Sequence, residues 1–171
     1  MTKKTFLNSV LNSQEDIIQL LLDLLNRLDI DYCVIGGLAV NAYAEPVVSL
    51  DLDIVISAEA LDALAKEAKE SFKIERFPYS LNLKSPKSDL RIQVQTDPRY
   101  QPFIKRASVM TVMDYDMKVA SIEDVLQGKV WAYSDNTRRT SKRQKDLADI
   151  YRLIEKSPRL KKLVPPAILR T

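Results

Sequence analysis

The sequence predicts an α+β (α/β-like) protein: a mixed β-sheet flanked by helices, with a helical C-terminal part. Three observations carry that prediction. Short runs rich in Val, Ile and Leu recur between residues 31 and 119. Segments with apolar residues three and four apart fall before, between and after them. The stretch from 121 to 156 then reads as two helices. Residues 1–120 are expected to form a core that includes an N-terminal helix, and residues 121–171 a helical part packed on it, as one unit.

The elements follow in order. Ser13 and Asp16 stand in capping-box spacing before Ile17, Leu20, Leu21, Leu24, Leu25 and Leu28, which predicts a helix over 13–28. DYCVIGG (31–37) is a short buried strand ending in a glycine pair, and LAVNAYAEP (38–46) a short helix stopped before Pro46. SLDLDIVIS is a second strand, and residues 58–71 are a helix of strong helix formers. FKIERF, SLNL and DLRIQVQT supply further strands. In the last, Leu90, Ile92 and Val94 share one face, and Arg91, Gln93 and Gln95 the other. Two short strands fall near 107–119. Ser121 and Asp124 open a helix to about 134, and a final helix runs from about 141 to 156, ended by Pro158.

Composition narrows the chemistry. The chain has 171 residues, 46% apolar and 29% charged, the mix of a soluble globular domain. No apolar run reaches membrane-spanning length and no signal peptide opens it, so no membrane partner is expected. The lone Cys33 reads as a buried, reduced thiol in a cytoplasmic protein. With no histidine, Ser-His-Asp and Cys-His nucleophile systems and histidine-bearing zinc sites are excluded. A metal site must then use oxygen ligands, which suits Mg²⁺ or Mn²⁺. Charge is uneven: residues 138–171 hold eleven Lys and Arg against three Asp and Glu, within an overall net of +3. A basic end on an acidic body fits a polyanionic partner, and equally a solvated basic face.

Two aspartates interrupt the second strand. Asp51 and Asp53 point to one face while Leu50, Leu52, Ile54 and Ile56 point to the other. Like carboxylates that close repel unless a cation or a shared proton lies between them. Acidic pairs also occur on plain exposed strand faces, so context matters. Upstream, Gly36 and Gly37 either make a tight turn or let a phosphate approach a helix N-terminus; they are two of just three glycines in the chain. Neither a P-loop nor a Rossmann fingerprint is present. Carboxylates for a metal beside an anion-binding turn describe a site for a nucleoside triphosphate.

IGGLAVNAYAEPVVSLDLDIVI resembles the DNA polymerase β-like nucleotidyltransferase superfamily. More narrowly, it resembles the minimal bacterial nucleotidyltransferases of the AbiEii toxin type, some of which are toxins of toxin–antitoxin systems. Gly36, Gly37, Ser49, Asp51 and Asp53 fall in the family's order, and SIEDVLQGKVWAYSDNTRRTSKRQKDLADIYRLI continues the likeness, so it spans roughly residues 30–155. The resemblance implies a nucleotidyltransferase fold and metal on Asp51 and Asp53. It also implies transfer of a nucleotide from an NTP substrate to a protein or an RNA such as tRNA, with an antitoxin as a further partner.

Lys129 would face the triphosphate, or else be an exposed helix lysine near Trp131. Arg143 would join the nucleotide site. Asp146 would organise its catalytic end, or else pair with Lys142 one turn earlier. The family's third carboxylate has no counterpart in LRIQVQ, where Gln93 takes the expected place. Its oxygen can ligate a metal but brings no charge and no basicity. Asp89 and Asp97, at the ends of that strand, are the available substitutes. The alternative reading is therefore a weakly active or inactive module of the same fold that binds nucleotide or a partner protein.

Overall fold

The computed structural model describes residues 1–170. Seven helices and seven strands alternate along it: α1 (Lys3–Val10), α2 (Ile17–Arg27), β1 (Tyr32–Ile35), α3 (Gly36–Tyr43), β2 (Asp51–Ile56), α4 (Leu61–Ala68), β3 (Lys73–Phe77), β4 (Ser80–Lys84), β5 (Arg91–Gln95), α5 (Gln101–Arg106), β6 (Ser108–Val112), β7 (Tyr115–Val119), α6 (Ile122–Ser134) and α7 (Thr140–Lys156). The strands form one mixed sheet in the order β3-β4-β5-β2-β1-β7-β6. β2 lies near its centre, antiparallel to β1 and parallel to β5. The α+β class and the mixed sheet flanked by helices are as the sequence predicts.

Local chemistry explains most boundaries. Ser121 caps α6 by accepting a hydrogen bond from the Asp124 amide at 3.2 Å. α2 starts later than its leading Ser13 suggests: Asp16 is the cap, accepting from the Gln19 amide, while the Ser13 hydroxyl is bonded to Ser88. α3 begins at Gly36, so the glycine pair opens the helix rather than preceding it. The helix expected over 58–71 is a 3₁₀ turn followed by α4. α1 and α5 were not predicted. α1 buries little beyond Leu7, too sparse a stripe to read, and α5 is a short helix between two loops.

The core forms one continuous cluster from Leu7 to Ile168. Leu52, Ile54 and Ile56 are completely buried, each worth roughly 1.5–3 kcal/mol of transfer free energy. Val55 is buried as well, although it shares the aspartate face of β2. That face is therefore polar for its first half and core for its second, and the carboxylates sit where core gives way to solvent. Cys33 is buried, and desolvation pushes its thiol up to about 12, which keeps it protonated.

Candidate active site

Strand register builds the site. Ile35, the last residue of β1, lies opposite Asp53 of β2, so the next residue, Gly36, starts α3 directly against the Asp53 carboxylate. Gly36 has φ +75°, and a Cβ placed there would lie 2.5 Å from Asp53 Oδ2. Glycine is thus required twice, by backbone conformation and by space. No side chain caps α3, so its first amides are left open at the positive end of its dipole, and Gly36, its first residue, abuts the Asp53 carboxylate. Ser49 positions the strand entrance: its hydroxyl accepts from the Asp51 amide at 3.2 Å and donates to the Asp51 carbonyl at 3.1 Å.

On the other side of β2, Gln93 is the direct neighbour of Asp53 and Arg91 that of Asp51. Gln93 thus stands beside the pair on the adjoining strand, the place the family resemblance implies. Asp89 and Asp97 do not join: Asp89 accepts from the Asn12 amide nitrogen at 2.7 Å, and Asp97 is paired with Arg99.

The two carboxylates differ in surroundings. Asp51 accepts from Arg91 Nε at 2.7 Å and from Lys142 Nζ at 3.2 Å. Asp53 is half-buried and, among the described residues, has no hydrogen-bond donor on its carboxylate. Burial raises its pKa to about 6, against the pull of Lys129, Arg138 and Lys142; the neighbouring Asp51 charge adds to the rise. A carboxylate with no hydrogen-bond donor among the described residues, beside a second one and a neutral amide oxygen, is a donor set suited to a hard divalent cation.

α6 and α7 close the cleft. Lys129 is buried rather than an exposed helix lysine, donating to Asp146 at 3.1 Å and lying 2.9 Å from Asp149. Burial works to lower its pKa, but Asp149 and Asp146 outweigh that and raise it. Asp146, 1% exposed, also accepts from Arg138 Nε at 2.7 Å. It therefore pairs with Lys129 and Arg138, and not with Lys142, whose ammonium goes to Asp51. Asp149 is held in turn by Arg152 at 2.7 Å.

Arg143 is turned away. Its Nε donates to the Tyr133 carbonyl at 2.7 Å and its guanidinium lies over the Tyr133 ring. Besides Lys129, the cations near the carboxylates are Arg138, Lys142 and Arg91, none of which the sequence assigned to the site; Lys142 was weighed there only as a partner of Asp146. Two signals were available: Lys142, Asp146 and Asp149 share a helical face, and Arg91 shares the Gln93 face of its strand. Arg138 precedes α7, where no periodicity could mark it.

Two cavities meet at Asp53, Gln93 and Arg138. One, of about 480 Å³, runs under α6 and is lined by Gly36, Lys129, Tyr100 and Trp131. The other, of about 460 Å³, opens over β3–β5 and is lined by Asp51, Lys73, Lys84, Arg91 and Lys142. Tyr100 and Trp131 meet edge to face at 5.2 Å, giving the first cavity an aromatic wall.

The model of the family described as "Nucleotidyl transferase AbiEii toxin, Type IV TA system" matches residues 20–171. The chain belongs to the AbiEii nucleotidyltransferase family. Solved structures agree with that membership at the level of fold. The lincosamide antibiotic adenylyltransferase LnuA, lincomycin-bound, superposes with a TM-score of 0.59 at 16% identity, covering 83% of this chain and 99% of that one. The ANT(2")-Ia complex with adenylyl-2"-tobramycin gives 0.58 at 15% identity, covering 89% and 90%. An antigenic nucleotidyltransferase-like protein from Paracoccidioides brasiliensis gives 0.52 at 22% identity, covering 87% and 75%. No curated protein sequence matches. The AbiEii match takes in every residue assigned to the site, from Gly36 to Asp149.

Proposed function

We propose that this AbiEii-family chain is an Mg²⁺-dependent nucleotidyltransferase that moves a nucleotide from an NTP to a hydroxyl of an RNA or protein acceptor, as the toxin of a toxin–antitoxin pair. One observation carries the reading: the Asp53 carboxylate is half-buried beside Asp51, has no hydrogen-bond donor on it among the described residues, and abuts Gly36 at the N-terminus of α3. A fold does not keep such a charge without a partner at low cost.

Asp51 and Asp53 would hold the cation, with the Gln93 oxygen as a neutral third donor; when bound, it neutralises charge on the polyphosphate. The α3 amides at Gly36 and Gly37 would receive phosphate oxygens, and Lys129, Arg138 and Lys142 would balance the remaining charge. The acceptor oxygen forms its bond to the α-phosphorus as the bond to the bridging oxygen breaks, and pyrophosphate leaves. The hydroxyl proton goes to solvent, because Gln93 cannot accept it. Positioning and electrostatics would therefore supply the catalysis.

A second reading has its own observation. Asp51 is already paired with Arg91 and Lys142, and Gln93 stands in place of an acid, as in a module that binds nucleotide without turnover. Calorimetric titration of ATP, GTP, CTP and UTP, with and without Mg²⁺, tests both readings on wild type and D51A/D53A. Metal-dependent binding that the double variant loses, followed by pyrophosphate release with RNA or protein present, supports the enzyme. Binding without release supports the module. Absence of binding to every NTP overturns both.

A further inference from the structure

We propose that the open face of β3–β4–β5 is a platform for the single-stranded, phosphate-bearing end of an RNA acceptor; this rests on the nucleotidyltransferase reading above and names its acceptor class. Register lays the face out in rows. Lys73 of β3 lies directly opposite Lys84 of β4. One step beyond the Leu83–Ile92 pair, Arg91 of β5 continues that row, and Asp51 of β2 is its partner. The adjoining row runs Glu75, Asn82, Gln93, Asp53. The opposite face of these strands sends Leu81, Leu83, Ile92 and Val94 into the core. Lys73, Lys84, Arg91, Asn82 and Gln93 are all exposed and line one cavity with Lys142 of α7.

Two physical points select the occupant. Like charges directly opposite across a strand pair are destabilising, and neither Lys73 nor Lys84 makes an ion pair among the described residues. A cross-strand lysine pair with no carboxylate on it is arranged for an external anion. Phe77, on the same face of β3 by alternation, is 42% exposed, and Tyr79 in the following turn is 64% exposed. Lysines without an ion pair among the described residues, on a face that carries exposed aromatic rings at the other end of the β3–β4 hairpin, suit a polynucleotide single strand, whose phosphates meet the charges while bases further along stack. The cation row leads straight to the carboxylate pair, so a strand lying along it would deliver its terminal hydroxyl to Asp51 and Asp53.

The test is fluorescence anisotropy of a short, 5′-labelled single-stranded RNA with a free 3′-hydroxyl, titrated with the full chain over a range of salt. K73E/K84E is expected to weaken binding about ten-fold or more and to reduce the slope of log affinity against log salt by about 2. K73A/K84A should give the same direction with a smaller loss, and guards against a folding artefact. Reversal of the other exposed lysine pair, K161E/K162E, should change affinity less than about two-fold. Equal losses in the two reversed pairs, or no salt-dependent RNA binding by wild type, would overturn the platform. So would poly-glutamate binding as tight as RNA binding with the same dependence on Lys73 and Lys84, which would assign the face to an acidic protein. Mg-NTP titration of the same variants separates the two readings: RNA binding that tracks Lys73 and Lys84 while wild type ignores every NTP would keep the platform and remove the enzyme.

Discussion

The molecule carries two aspartate pairs close to one another, and they are treated in opposite ways. Asp146 and Asp149, on one face of α7, are met from inside the protein by Lys129, Arg138 and Arg152. Asp51 and Asp53, on one face of β2, are met only in part: Asp51 has Arg91 and Lys142, while Asp53 has no contacting cation among the described residues and an elevated pKa. Residue type is the same, yet the α7 carboxylates are bonded by cations of the fold while the Asp53 carboxylate, among the described residues, is not. The difference separates a carboxylate that organises other side chains from one kept for a charge supplied from outside.

The sharpest way to break that comparison is to remove Asp146. D146A leaves Lys129 buried with one partner and Arg138 with none of its carboxylate bonds, so a loss of about 3–5 kcal/mol in urea unfolding is expected. A loss below 1 kcal/mol would mean that the α7 pair is not the internal counterion assigned to it.

The β2 pair should behave in the opposite sense. The native pKa of Asp53 lies above its unfolded value of 3.8, so the folded chain binds the extra proton between there and about 6. The stability carried by that protonated carboxyl is lost as pH rises through this window. D53N should therefore raise stability above pH 6, by on the order of 2 kcal/mol, and flatten the fall between about pH 4 and 6, while removing Mg²⁺-dependent NTP binding. Thermal unfolding across pH, beside calorimetry, reads both. Destabilisation by D53N at pH 7.5 would mean that the nearby cations outweigh the cost of burying the Asp53 charge, against this reading.

G36A probes the contact that joins α3 to this pair. A methyl group 2.5 Å from Asp53 Oδ2, on a residue at φ +75°, should lower stability by about 1–3 kcal/mol and weaken NTP binding more than any single lysine change. The smallest effect is expected at Lys142, whose pair with Asp51 is partly exposed and worth about 0–1 kcal/mol. K142A should leave stability nearly unchanged and tighten binding of Mn²⁺ alone up to about five-fold, measured by the ion's paramagnetic resonance signal. Weaker Mn²⁺ binding would show that the lysine does not compete for Asp51.

Regularity governed how much of this could be read without coordinates. The alternation in LDLDIVI and LRIQVQT placed Asp51, Asp53 and Gln93 on known faces, because a strand's period of two leaves no freedom. Ser121 marked the start of α6 because its cap bond is made within one turn. Arg143 was assigned to the nucleotide site and lies against Tyr133 instead, since a basic cluster carries no internal sign of which member points where. Lys142 was weighed as the partner of Asp146 on helical spacing, but a carboxylate from β2 competes for it and wins.

By itself, then, the sequence determined the α+β class, the carboxylate pair and its facing, and the glycine pair, all from periodicity and from backbone chemistry local to a few residues. The place of Gln93 beside the pair followed from the family resemblance and is seen in the strand register. Tertiary structure alone decided which cation meets which acid, that α3 starts at Gly36 against Asp53, and that Lys73, Lys84 and Arg91 form one row running into the site. Those depend on strand order and helix packing, which bring together residues up to 91 positions apart and whose long side chains have several charged partners within reach.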